Sequence, residues 1–137
     1  MSWQEFCESQ KVPKKFRKCC LEHIIEHNLV IERFIKNPTD SLILYGEPGR
    51  GKTYFLYSII HTLLEKAKCP RHYIRFFSGV DLEDRIRKEV GEFKSSSHFV
   101  ETLADAEFLF IDDFGVASMA EEAERHYYKL LDLRLNN

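Results

Sequence analysis

The stretch Gly46-Glu47-Pro48-Gly49-Arg50-Gly51-Lys52-Thr53 lies between a short apolar run, Ser41-Leu42-Ile43-Leu44-Tyr45, and a segment from Thr53 to Lys66 whose residues Phe55, Leu56, Ile59, Ile60, Leu63 and Leu64 recur at helical spacing. It fits G-x-x-x-x-G-K-[ST] at each fixed position, and strand, loop, helix is the context in which that pattern has a mechanism. For several backbone N–H groups to point at one anion the chain must curl tightly, which demands residues that tolerate positive φ and add no bulk. Gly49 and Gly51 supply that freedom. A helix starting near Lys52 adds its own N–H groups and the positive end of its dipole. Gly46, Glu47, Pro48, Gly49, Arg50 and Gly51 are therefore expected to wrap the phosphates of a nucleotide. Lys52 should reach the β- and γ-phosphates, and the Thr53 hydroxyl should take one position on Mg²⁺. Arg50, a long cation within the loop, is expected to point into water.

Some 60 residues downstream, Phe108-Leu109-Phe110-Ile111 is an apolar strand that delivers Asp112 and Asp113 at its end. Ligands of open α/β sheets bind at the carboxyl ends of strands. Asp112 is expected to hold Mg²⁺ directly or through water, and Asp113 to orient and polarise the water that attacks the γ-phosphate. Strand alternation would point the two side chains apart, so that each takes one task. Lys52 and Asp113 are thus the candidate catalytic residues, Thr53 and Asp112 the candidate metal ligands. Asp113-Phe114-Gly115 also spells the Asp-Phe-Gly of protein kinases, but the kinase glycine loop and catalytic His-Arg-Asp segment are absent from this sequence.

Between these two motifs, His72 to Phe77 is rich in β-forming residues, and Asp81 is expected to cap a charged helix through Leu82, Ile86 and Val90. Gly91 to Ser97 reads as a loop, His98 to Asp105 as a short helix or turn, and about 120 to 135 as a last helix. Upstream, Leu21 to Lys36 has amphipathic spacing and stops at Asn37-Pro38. Residues 1 to 18 read as an extended polar lead-in with Lys11, Lys14, Lys15, Arg17 and Lys18 around Pro13. Alternating strands and helices of these lengths predict one α/β domain over residues 19–137, three layers around a parallel sheet.

Composition bounds the alternatives. With 44% apolar and 31% charged residues in 137, the chain carries one ordinary core, and disordered or fibrous classes are excluded. A formal charge of −2 means that nucleic acid could be held only by local basic patches. The apolar runs fall far short of the roughly 18 residues of a membrane helix. No export signal is readable at the N-terminus, so a cytoplasmic compartment and no membrane partner are expected. The four cysteines, Cys7, Cys19, Cys20 and Cys69, lack ligand spacing and are expected as free thiols. Cys20, His23 and His27 could share a helix face as metal ligands, but His27 at helical spacing from Ile24 and Ile31 fits a core histidine better.

Val12-Pro-Lys-Lys-Phe16, the helix ending at Asn37-Pro38, Ser41 to Gly46, Lys52-Thr-Tyr-Phe-Leu56 and Phe108-Leu-Phe-Ile-Asp-Asp-Phe-Gly115 resemble, in order and spacing, the AAA+ helicase-loader family that includes DnaC, DnaI and the IstB transposition helpers. The likeness runs over roughly residues 11 to 137. It implies a P-loop ATPase that binds ATP with Mg²⁺ and assembles as a homo-oligomer around single-stranded DNA. Its implied partner is a replicative helicase or a transposase. In that family the helix after the second motif is followed by a strand with a sensor residue, an arginine finger and a lid, and the missing strand lies between those of the two motifs. These features are not found up to Asn137, so the expectation is a shortened domain that binds nucleotide and turns it over very slowly or not at all. Two other functions compete: a nucleotide-responsive module that binds a partner without turnover, and a small-metabolite kinase, for which no acceptor pocket or lid arginine cluster is readable.

Overall fold

The computed structural model describes residues 2–19, 28–37, 41–65, 74–93, 97–114 and 121–136. Two compact units divide the chain, Met1–Arg71 and His72–Asn137.

The first unit is helical among the described residues: α1 (Trp3–Ser9), α2 (Asn28–Lys36) and α3 (Lys52–Glu65). Helix α3 is its centre, with Phe55, Tyr57, Ile59, Ile60, Leu63 and Leu64 all buried. Its internal hydroxyls are satisfied locally, Ser58 donating to the Tyr54 carbonyl and Thr62 to that of Ser58. The lead-in is not extended. Ser2 and Glu5 form a capping box, each side chain accepting from the other's backbone N–H, and this starts α1. The bond from Ser2 N–H also holds the Glu5 carboxyl below its usual pKa. Trp3, Phe6 and Cys7 are buried by the helix that the capping box begins. Trp3 stacks on His61 at 4.7 Å, its backbone N–H donates to Glu65 Oε1 at 2.6 Å, and its indole N–H donates to Arg17 O at 2.8 Å. His61 Nδ1–H donates to Cys19 O at 2.7 Å, which fixes the tautomer. The basic residues of 11–18 all stay at the surface while Val12, Phe16 and Cys19 turn inward. Cys7 and Cys19 are free thiols, and burial pushes the Cys7 thiol up in pKa.

The run 41–45 is a second departure. It is irregular, and Ile43 and Tyr45 are 81% and 92% exposed. A strand exists only through its ladder, and no strand among the described residues pairs with these five.

The second unit is mixed α/β: β1 (Ile74–Ser78), α4 (Gly79–Phe93), α5 (Ser97–Ala104), β2 (Phe108–Asp112) and α6 (Glu121–Asn136). β1 and β2 pair in parallel, with Ile74 opposite Phe108 and Ser78 opposite Asp112. Leu82, Ile86, Val100, Leu103, Tyr127 and Leu130 from the three helices form one buried cluster, against which Phe77, Leu109 and Ile111 pack. Phe108 and Phe110, alternating with these along β2, are buried as well, so the strand is covered on both faces as parallel strands are. The Arg134 guanidinium donates to the carbonyls of Leu103 and Ala104 at the end of α5 and of Ala106 just beyond it. This ties α6 to the approach into β2. Helix α4 starts three residues earlier than Asp81 as a cap implied: the cap is Ser78, whose hydroxyl accepts from Asp81 N–H and donates to Asp81 Oδ2. It also runs on through Phe93, where a loop was expected from Gly91. None of the described helices is long and apolar enough to cross a membrane.

Candidate functional site

In the first unit the loop 46–51 leads directly into α3. Gly46, Gly49 and Gly51 have φ of 140°, 78° and 85°, and a Cβ built on any of them would meet nothing within 4 Å. The glycines therefore serve backbone conformation: L-residues are disfavoured at such angles, and the turns they permit bring N–H groups to the concave side. The first helical bond, Phe55 N–H to Gly51 O at 2.9 Å, sets the start of α3 against the loop. Helices leave their first N–H groups without intrahelical acceptors, so this end can take an anion. Lys52 Nζ folds back over the loop and donates to Gly46 O and Glu47 O, each at 2.9 Å. A phosphate oxygen is a stronger acceptor for such a group than either carbonyl. Arg50 is at the surface, as expected, where it pairs with exposed Glu47 at 3.4 Å. Such a pair contributes about 0–1 kcal/mol. Thr53 is half-buried in the first turn of α3.

In the second unit Asp112 is the last residue of β2 and is half-buried; Asp113 is exposed. The expected alternation ends at Asp112, because Asp113 has φ of 54° and belongs to a turn. Its N–H donates to Asp112 Oδ1 at 3.1 Å, so the turn orients the carboxylate before it. Ser78 stands opposite Asp112 in the ladder, and Gly79 touches the Asp113 carbonyl. These neighbours were not legible from the sequence, since nothing local links residues more than 30 positions apart.

Comparison with protein-family models, with curated proteins and with solved structures finds no match. What the chain can do therefore rests on its own chemistry. One unit holds a glycine turn, a helix start and an ammonium, a set suited to phosphate. The other holds a strand-end carboxylate and an exposed neighbour. No group of three or more His, Cys, Asp or Glu residues suited to a metal occurs among the described residues. Mg²⁺ in general takes most of its ligands from phosphate and water and few from protein. Cys20, His23 and His27 lie outside the described residues.

Proposed function

We propose that the chain is a P-loop nucleotide-binding protein of the AAA+ helicase-loader kind, with a three-layer α/β core, and that residues 46–53 bind the phosphates of ATP. The observation that carries this is the loop itself: three glycines at positive φ, open space beside each, and Lys52 at the first position of the following helix. Backbone N–H groups of the loop and of the first turn of α3 would take the phosphate oxygens. The Lys52 ammonium would exchange its two carbonyl partners for the β- and γ-phosphates. Thr53 and Asp112 would hold Mg²⁺. The ion, when bound with the nucleotide, supplies neutralising charge across those phosphates. Asp113, exposed beyond the strand, would accept a hydrogen bond from water and orient it.

The exposed cations of residues 11–18 support single-stranded DNA as a partner; a replicative helicase or transposase, self-assembly and a cytoplasmic setting follow from the family likeness. One observation favours binding without turnover. The run 41–45, which would brace the loop as a strand, is irregular and exposed.

The test is equilibrium binding of a fluorescent ATP analogue to the wild type and to Lys52→Ala. A charged hydrogen-bond partner is worth about 1.5–3 kcal/mol, so affinity should fall roughly 10- to 150-fold. Equal affinities, or no binding by the wild type, would refute the proposal.

A further inference from the structure

The carboxylate turn is gripped by a helix start and a helix face that the reading above leaves without a task. Gly79, the first residue of α4, is not at a positive φ; its need is space. A Cβ there would lie 2.7 Å from the Asp113 carbonyl oxygen, 3.3 Å from the Asp113 carbonyl carbon and 3.5 Å from the Phe114 Cα. All three are backbone atoms, so no side-chain rotation relieves the contact and the turn itself must move. Tyr127, on α6 and only 3% exposed, touches both partners of this close approach. Its hydroxyl donates to Gly79 O at 3.1 Å, and its ring meets the Phe114 ring edge-on at 5.3 Å.

Asp113 at φ 54° occupies a region sparsely used by residues with a Cβ, and such conformations persist where the surroundings over-determine them. Here Gly79 lies close to the Asp113 carbonyl, and Tyr127 holds Gly79 and the adjacent Phe114. The Asp113 N–H in turn fixes Asp112 Oδ1. Ser78 is the residue opposite Asp112, and its hydroxyl is committed to capping α4, which locks the same corner from the strand side.

We infer that Gly79 and Tyr127 are positioning residues: the contact of α4 with the Asp113 carbonyl, clamped by α6, sets the orientation of the Asp112 carboxylate and hence its affinity for Mg²⁺. This rests on the proposed role of Asp112. Partners that orient a metal ligand typically carry roughly 10- to 100-fold in metal affinity.

The experiment compares wild type, Gly79→Ala and Tyr127→Phe, each verified as folded by circular dichroism. Affinity for a fluorescent ATP analogue is read with Mg²⁺ and with chelator, and amide hydrogen exchange of residues 112–114 is read without nucleotide. Affinity in chelator should match wild type in both variants. The gain on adding Mg²⁺ should drop about tenfold in Tyr127→Phe and up to about 100-fold in Gly79→Ala. Exchange at 112–114 should quicken while that of 108–110 does not. An undiminished magnesium gain in both variants overturns the positioning role and leaves the nucleotide proposal standing. An equal loss with and without Mg²⁺ overturns it too, by showing a general structural effect. A wild type that binds ATP with no magnesium gain removes the Asp112 assignment and this inference together. If Gly79→Ala does not fold, Tyr127→Phe decides alone.

Discussion

The phosphate loop and the carboxylate turn use glycine for opposite reasons. At Gly49 and Gly51 the backbone takes positive φ and the space around the missing side chain is open. At Gly79 no positive φ is involved, and the missing side chain lets two backbones approach within a distance that a methyl group would fill. The first region is exposed and holds its cation by its own carbonyls. The second is braced from two helices. The loop therefore has room to change shape, whereas the carboxylate stands beside a turn that is already held. The charge balance follows the same division, since cations outnumber carboxylates in residues 1–71 and the reverse holds in 72–137.

That contrast can be broken at several points. The largest effect is expected from Leu130→Ala, which empties a fully buried site in the cluster beneath the carboxylate turn. A loss of about 2–5 kcal/mol is predicted from urea unfolding. Affinity for ATP in chelator should survive under native conditions, because the phosphate loop belongs to the other unit. Gly49→Ala should cost about 1–2 kcal/mol, the penalty for a Cβ in a left-handed conformation, with no steric term because nothing stands nearby. A larger loss would show that the loop is more crowded than the turn. Ser2→Ala should cost about 1 kcal/mol by removing the cap of α1, measured as a shift in thermal unfolding.

A smaller effect concerns Tyr127. Burial, with a contribution from the nearby Glu83 carboxylate, pushes its pKa from 10.0 up to about 12. A raised value favours the neutral phenol in the folded state, so its contribution to stability is intact below pH 10 and is lost as pH rises toward about 12. Ultraviolet titration of wild type against Tyr127→Phe should remove a late-ionising tyrosine. If the tyrosine removed titrates at the ordinary value, the grip on the turn is looser than described.

The sequence made some of this plain and hid the rest for identifiable reasons. Residues 46–53 are legible because the motif fixes residue type and spacing within one turn, and Phe108 to Asp112 because a fully apolar run ends abruptly in acids. The run 41–45 has the same apolar look, but strand formation depends on a partner that no local pattern encodes. Helix α1 carried a usable signal, Ser2-x-x-Glu5 ahead of Trp3 and Phe6, which the cluster of cations around Pro13 overshadowed. The hydrogen bond from Tyr127 to Gly79 spans 48 residues, and only the packing of α4, α6 and the turn after β2 brings the two together.

The central proposal is that residues 46–53 bind the phosphates of ATP, and amide nuclear magnetic resonance of the full chain tests it most directly. ATP should shift the resonances of residues 46–53 in proportion to occupancy while leaving those of 108–110 in place. Resonances of 46–53 that stay still at millimolar ATP would contradict it.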